Sequence, residues 1–539
     1  MEEERTMVPS ASIAGKRTLH RFGLIVAIIC VAATMGVVQA TAQSQMPALT
    51  APVIKTRAGE VRGKIKAGVR EFLGIPYAAP PVGDLRWQPP APHASWPGEL
   101  DATRTRSWCP QLASFPGSRV AGSEDCLYLN IYAPDPSGAG LPVMVWIHGG
   151  TFIVGSGAPY DGSNLARKGN LIVVTINYRL GALGFLAHRG LDAADSRHVS
   201  GNYGLMDQQA ALRWVKENIA AFGGNPGKVT IAGQSAGAIS AGLQMVSPGA
   251  AGLFQRAILE SGPFPRVQTL AEAEVRGDEL ARKLVCDKVA DTAACMRTKT
   301  IDQIVSAIPA DPLTSGNLVW SPIVDGQVLP SQPAEAIAAG HVNKVSVING
   351  SNRDEGTLMR AAAKPITAER FEQGVHSLFS KDAARVLAAY PLENYSSPTL
   401  AAAAAFGDAT FSCRILKMGA MLSALEPVYQ YEFNDTHAPL TFFRNPPFPL
   451  GAFHSSEIQY VFGDIATNNA ASPAQKELSD LMMGYWIGFI TSGDPGGSQR
   501  WTRYRADDPR VLSLAPGAIG DESDFSKIHH CDLWDSIRF

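Results

Sequence analysis

Gly233-Gln234-Ser235-Ala236-Gly237 stands between a short apolar run, Lys228 to Ala232, and a stretch of small helix-favouring residues, Ala236 to Met245. This order predicts a strand that hands over to a helix through a sharp turn, with Ser235 on the turn. Flanking glycines suit a strained junction where approaching backbone leaves no room for a Cβ. A helix beginning just after Ser235 also directs free N–H groups and the positive end of its dipole at an oxyanion formed there. In a chain with 51 glycines the bare pentapeptide is equally a glycine-rich turn, so its meaning depends on its surroundings.

On either side of it, short Val- and Ile-rich runs alternate with longer helical patterns. That is the signature of an α/β fold, a mostly parallel twisted sheet with helices on both faces. The expected core strands are Val143 to Ile147, Leu171 to Asn177, Lys228 to Ala232, Arg256 to Leu259, Val345 to Asn349 and Val428 to Phe433. Between the second and third, Leu205, Leu212, Val215, Ile219 and Phe222 recur at helical spacing and Gly223-Gly224 marks a stop, so 205–222 reads as a core-facing helix. Glu60 to Phe72, punctuated by Gly63 and Gly68, reads as an antiparallel hairpin. No charge run, repeat or Pro/Ser-rich linker divides the chain. A length that alone suggests about three domains therefore reads as one large domain with long insertions, spanning 43–539.

The N-terminus carries Lys16, Arg17 and Arg21, then an uncharged apolar stretch from Phe22 to Val38, then Ala40-Thr41-Ala42. This reads as an export signal, residues 1–42, and predicts a secreted or periplasmic protein. The acidic start Glu2-Glu3-Glu4 is unusual for such a signal, and translation from Met7 would remove it. Cleavage after Ala42 takes four of the 47 basic and three of the 49 acidic residues, leaving a net charge near −3. That balance offers neither nucleic acid nor an anionic membrane an electrostatic handle. Six cysteines remain, Cys109, Cys126, Cys286, Cys295, Cys413 and Cys531, and an even number in an exported chain suggests three disulfides among 15 possible pairings. No Cys or His spacing suits a metal, and His529-His530 reads as part of a polar tail.

In open parallel sheets function gathers beyond the carboxyl ends of the strands. The loops expected there are His148-Gly149-Gly150-Thr151-Phe152, Ser235, Asn352-Arg353-Asp354-Glu355-Gly356, and Gly451-Ala452-Phe453-His454. They supply backbone donors, a hydroxyl, a carboxylate and an imidazole. A serine hydroxyl attacks an acyl carbon at neutral pH only if a base takes its proton, and the resulting imidazolium needs a carboxylate to orient and stabilise it. The chain order Ser, acid, His is that of α/β-hydrolases. At this point the acid is Asp354 or Glu355, and the base is His148 or His454.

Further phrases carry a family resemblance: Gly74-Ile75-Pro76-Tyr77-Ala78 with Leu85-Arg86-Trp87, Ser123-Glu124-Asp125-Cys126-Leu127-Tyr128-Leu129-Asn130, Asn177-Tyr178-Arg179-Leu180, and Phe222-Gly223-Gly224-Asn225-Pro226. Later come Asp325-Gly326 with Leu329-Pro330, then Tyr485-Trp486 with Gly493-Asp494-Pro495. The chain resembles a type-B carboxylesterase, the carboxylesterase and cholinesterase-like branch of the α/β-hydrolases, through essentially its whole mature length. The resemblance implies the α/β-hydrolase fold, a small-molecule ester substrate, no metal and no cofactor. It implies Ser235 as nucleophile, Glu355 as orienting acid and His454 as general base, with His148 a structural member of the glycine loop. It implies an oxyanion hole from Gly149, Gly150, Thr151 and Ala236, and disulfides joining Cys109 with Cys126, Cys286 with Cys295, and Cys413 with Cys531.

Thr151 departs from the pattern, since many relatives have a third consecutive glycine there and a threonine disfavours positive φ. The segment from Cys109 to Cys126 holds no Trp, so the aromatic platform on which cholinesterases seat a quaternary ammonium is missing and a choline ester is disfavoured. Trp320, Phe442, Phe443 and Phe448 are read first as packing and second as lining for an acyl or alcohol pocket. Two rivals accompany the esterase reading: a lipase-like enzyme with a lid among the helical residues 361–425, and an inactive binding module of the same fold.

Overall fold

The computed structural model describes residues 51–112, 119–136, 138–193, 195–308, 318–441, 445–497 and 500–537. The expected export signal and Phe442 and Phe443 lie outside the described residues. Eleven strands form the main sheet: β1 (Lys64–Lys66), β2 (Val69–Pro76), β3 (Tyr128–Pro134), β4 (Leu141–Ile147), β5 (Ile172–Ile176), β6 (Gly224–Gln234), β7 (Arg256–Glu260), β8 (Ser346–Asn352), β9 (Val428–Phe433), β10 (Val511–Ala515) and β11 (Ala518–Glu522). Their spatial order is β11-β10-β9-β8-β7-β6-β4-β5-β3-β2-β1. Every pairing from β5 to β10 is parallel, while both margins close with antiparallel strands.

Successive residues of the central strands feed two separate cores, as the two-residue period of a strand requires. Val143, Val145 and Ile147 of β4 join Ile172, Val174 and Ile176 of β5 on one face. Met144 and Trp146 join Val173, Ile258 and Ile348 on the other. Helices α1 (Tyr203–Asn218) and α2 (Ala236–Met245) cover the first face through Leu212, Val215, Ala238 and Leu243. The other face is covered by helix α6 (Pro473–Ser492), through Tyr485, Trp486 and Phe489. Between them in the chain lie α3 (Glu355–Ala361), α4 (Pro398–Gly407) and α5 (Cys413–Ser423), with a single π-helical turn, Asp408–Ser412, joining α4 to α5.

The six expected core strands all form, with ends displaced by a few residues. The expected helix 205–222 begins at Tyr203, and its last turn, Ile219–Phe222, tightens to a 3₁₀ turn that Gly223 ends at φ 99°. The expected hairpin is corrected: Lys64–Lys66 does pair antiparallel with β2, but Glu60–Arg62 belongs to a separate small sheet, between Val53–Lys55 and Glu99–Asp101. Gly63 divides the two, because a Cβ there would lie 2.5 Å from the Glu71 carbonyl oxygen and 2.6 Å from the Phe72 ring. Disulfides join Cys109 to Cys126, Cys286 to Cys295 and Cys413 to Cys531, with Cα separations of 5.0, 5.6 and 5.1 Å.

Residues 361–425 are largely helical and pack their apolar side chains, among them Phe371, Val386 and Tyr390, against Val511, Phe525 and Trp534 of the C-terminal segment. The polar-tail reading of His529 is corrected here, for its ring is 3% exposed and sits between two carboxylates. No helix among the described residues is long and apolar enough to cross a membrane.

Candidate active site

Strand β6 ends at Gln234 and helix α2 begins at Ala236, leaving Ser235 alone on the turn at φ 56°, ψ −126°. This conformation costs a non-glycine residue on the order of 1–3 kcal/mol and persists only where neighbours over-determine it. Those neighbours are close. The Ser235 amide donates to the Glu260 carbonyl at 2.8 Å, and the Ser235 carbonyl accepts from Ile239 at 2.9 Å. Gly237 passes so near β4 that a Cβ would stand 1.9 Å from the Ile147 carbonyl oxygen, and a Cβ on Gly233 would stand 2.5 Å from the Gly237 carbonyl carbon. The two glycines are therefore demanded by close approach between helix, strand and turn.

Strand β4 lies beside β6, and the loop after it reaches the same place: a Cβ on Gly149 would be 2.7 Å from the Gln234 carbonyl oxygen and 3.1 Å from Ser235 Cβ. Gly150 has φ 104°, and the loop continues in the left-handed region through Thr151 at 52° and Phe152 at 62°. The β-branched Thr151 thus takes the strained conformation that its side chain opposes, and its hydroxyl is buried without a partner among the described residues. The amides of Gly150 and Thr151 donate to no group of the described residues, and the Ala236 amide is the first of its helix, without an intrahelical acceptor. His148 is held away from proton-transfer chemistry. Its Nδ1 donates to the Gly149 carbonyl at 2.8 Å, its ring stacks on Tyr178 at 4.4 Å, and burial pushes its pKa down to about 4.

Glu355 opens helix α3 and is fully buried. One carboxylate oxygen, Oε1, accepts from the Asn352 amide at 2.8 Å, and the other, Oε2, lies 2.5 Å from His454 Nδ1. Asp354 does not touch the imidazole; its carboxylate accepts from the Ala452 amide at 2.8 Å. The geometry thus distinguishes two adjacent acids that the residue types alone left open. Burial by itself would push the His454 imidazole down, but the charge and hydrogen bond of Glu355, with a smaller contribution from Glu457, hold it above the ordinary histidine value. With Nδ1 directed at Glu355, Nε2 faces the serine turn, where the Gln234 side-chain amide donates to it at 3.3 Å. The Ser235 hydroxyl has no hydrogen bond to the ring among the described residues.

Three further residues contribute to the site. Gln234 holds Nε2; Asn352 donates through Nδ2 to the Phe453 carbonyl at 2.7 Å and to Glu457 Oε2 at 2.5 Å. Glu457, three residues beyond His454, is fully buried, and burial and the neighbouring Glu355 charge push its carboxyl up to about 7. The one sequence signal for it is the three-residue spacing from His454. Of the aromatic candidates, Trp320 is 5% exposed and, with Ile153, Val154 and Leu180, lines a small apolar cavity behind the glycine loop. Phe448 packs against the core on the α6 face.

The α/β-hydrolase sheet, with a serine on the turn after β6 and a carboxylate–imidazole pair beyond β8 and β9, defines the class: a carboxylic ester hydrolase of the serine hydrolase type. A model of the carboxylesterase family matches residues 50–534, and the chain belongs to that family. It is 38% identical to the fumonisin B1 esterase of Sphingopyxis macrogoltabida over 483 residues, covering 86% of each chain. It is 36% identical to the para-nitrobenzyl esterase of Bacillus subtilis (86% of this chain, 95% of the relative) and 35% identical to human cocaine esterase (90% and 91%). Among solved structures, a PNB esterase superposes with a TM-score of 0.76 at 34% identity, over 90% of this chain and all of that one.

Proposed function

We propose that this protein is a secreted serine carboxylesterase that cleaves small-molecule esters through an acyl-enzyme, with Ser235 as nucleophile, His454 as general base and Glu355 as the acid that orients it. The observation that carries the reading is the 2.5 Å contact between Glu355 Oε2 and His454 Nδ1, which leaves Nε2 directed at the turn bearing Ser235. In the first half-reaction Ser235 Oγ bonds to the acyl carbon as His454 Nε2 takes its proton. The imidazolium then gives that proton to the departing alkoxide. In the second, water loses a proton to the same nitrogen, attacks the acyl carbon and releases the acid, and Ser235 regains its proton. The free amides of Gly150 and Thr151, on a loop begun by Gly149, and of Ala236, at the start of α2, receive the oxyanion; losing one such donor costs about 10²–10³ in rate.

The positively charged, apolar N-terminus and three disulfides support export to an oxidising compartment, and residues 43–539 form the mature hydrolase domain. A choline ester is disfavoured because no Trp lies between Cys109 and Cys126. The test is covalent. Incubation with an organophosphate followed by peptide mass spectrometry is expected to tag Ser235 alone, and a panel of short- and long-chain p-nitrophenyl esters is expected to turn over below micelle formation. An untagged, folded, inactive protein would make the fold a binding module instead, and turnover confined to long-chain esters above micelle formation would make it a lipase.

A further inference from the structure

The π-helical turn Asp408–Ser412, together with Gly407 just before it, touches both members of the acid–base pair. Gly407 packs on Glu355, where a Cβ would come 3.4 Å from Glu355 Cβ and 3.0 Å from the Gly356 amide nitrogen. A Cβ on Gly356 would stand 2.0 Å from the Ala403 carbonyl oxygen, so α3 and α4 meet backbone to backbone. Within the turn, the Phe411 ring lies on the His454 imidazole with centroids 4.9 Å apart. Such turns are uncommon and collect at functional sites. These contacts couple the position of the turn to that of Glu355 and His454.

The turn is itself anchored from the far end of the chain. Asp408 Oδ1 lies 2.5 Å from His529 Nδ1, and His529 Nε2 lies 2.6 Å from Glu432 Oε1 on β9. Asp408 Oδ2 accepts from the Tyr390 hydroxyl at 2.7 Å, which accepts from Trp534 Nε1 at 2.7 Å. On the other side of Glu432, Arg353, two residues before Glu355, approaches its second oxygen at 3.7 Å. Glu522 of β11 also faces Glu432, with its carboxyl pushed up to about 7 by burial and by that neighbour; Asp354 and Asp524 are the remaining charges nearby. The His530 ring rests on Tyr390 at 4.9 Å. The Cys413–Cys531 disulfide joins the same two segments, one residue beyond the π turn and two beyond His529.

We propose that His529 is a positioning residue for ester hydrolysis: sandwiched between Asp408 and Glu432, it pins the π turn that backs Glu355 and His454. The inference rests on the triad reading above. Loss of the pin lets Gly407 and Phe411 recede, lengthening the Glu355–His454 contact, and a misplacement of about 1 Å in such a pair can cost about 10²-fold in rate. Because Glu355 raises the His454 imidazole, a longer contact also lowers it. His529 is buried behind the acid–base pair, so the loss is expected in kcat and not in KM.

The test compares secreted wild type with His529→Gln, His529→Arg, Asp408→Asn and Ser235→Ala, using p-nitrophenyl butyrate from pH 5 to pH 9. In His529→Gln and Asp408→Asn, kcat is expected to fall on the order of 10- to 100-fold with KM within about twofold, and the acid limb of kcat/KM to move to lower pH. His529→Arg, which keeps a cation between the carboxylates, is expected to hold kcat and the acid limb near wild type. Should His529→Gln fail to fold, Asp408→Asn is read in the same way. Folded variants with wild-type kcat, or with lowered stability and an unmoved acid limb, overturn the proposal. Turnover by Ser235→Ala would instead overturn the triad reading on which it stands.

Discussion

The carboxylate of Asp354 accepts the amide proton of Ala452 at 2.8 Å, and the Asp354 amide donates back to the Ala452 carbonyl at 3.0 Å. Two residues from His454 and one from Glu355, this pair of bonds staples the acid loop to the histidine loop. Gly451, at φ 66°, fits beside it because a Cβ there would strike the Asp354 carboxylate at 2.1 Å. The two adjacent acids divide the work: Glu355 meets the imidazole, and Asp354 fixes the strand of chain that presents it.

Asp354→Ala removes the acceptor and leaves the Ala452 amide unpaired. The expected loss is about 1–3 kcal/mol in stability, with kcat falling more than tenfold as the histidine loop drifts. Asp354→Asn keeps an acceptor oxygen and is expected to retain most of both. Urea denaturation and steady-state kinetics on the two variants check this; equal behaviour of Asn and Ala would show that the staple does not position His454.

In the mechanism proposed above the base is the neutral His454 ring, which Glu355 raises, so the acid limb of kcat/KM should lie above the ordinary histidine pKa of about 6.5. Glu355→Gln removes the negative charge while keeping the shape. Burial then acts alone on the ring, so the limb is expected to move to lower pH while kcat falls by orders of magnitude. A pH–rate profile of the variant that kept the wild-type limb would remove His454 as the titrating base.

His529 gives a stability signature of opposite sign to a carboxylate whose pKa is depressed by an ion pair. Burial opposes its charge, but Asp408 and Glu432 overcome that and raise its pKa to about 10, against about 6.5 in the unfolded chain. The folded state therefore binds the proton more tightly. Its contribution is fully present below about pH 6.5 and is lost as pH rises through about 10. The difference in Tm between wild type and His529→Gln is expected to be largest near pH 6 and to shrink steadily toward pH 10. A difference that is flat or grows with pH in differential scanning fluorimetry contradicts the charged sandwich.

The sheet was legible because its signal is local. Val143, Val145 and Ile147 alternate with Met144 and Trp146, and a strand of that pattern has both faces buried wherever it lies. The GQSAG turn was legible for a similar reason, since its glycines answer to backbone that any such strand-turn-helix brings near. What escaped was long-range. His529 meets Asp408 across 121 residues and Glu432 across 97, and Asn352 meets Glu457 across 105. No periodicity records such contacts, and a histidine beside another near the chain end looks like a solvated tail until the fold folds it in. The displaced strand Glu60–Arg62 escaped for a subtler reason: Gly63 breaks the run without changing its alternation.

The three disulfides differ most in the loops they close. Cys413–Cys531 spans 118 residues and Cys286–Cys295 spans nine, which on the loop-entropy account is worth about 5 against about 2.5 kcal/mol. Replacing each pair by Ala is expected to preserve that order in urea denaturation, with the long-range pair costing more still because both its cysteines are buried. A reversed order would place the stabilisation in the folded state and not in the restricted unfolded chain.

Thr151 offers a substitution in the unusual direction of gain. At φ 52° a β-branched residue carries strain of about 1–3 kcal/mol, and its buried hydroxyl lacks a partner among the described residues, a further cost. Thr151→Gly relieves both, while adding about 0.4–1 kcal/mol of unfolded-state entropy, so a net stabilisation of about 1 kcal/mol is expected. The amide at 151 survives the change, so the oxyanion donors proposed for the loop are all retained and kcat should stay within a few-fold. Denaturant melts and p-nitrophenyl ester kinetics decide the matter together. Gain in stability with kcat held means that Thr151 serves through its backbone, whereas a fall in kcat on the order of 10²-fold would mean that its hydroxyl turns to the oxyanion.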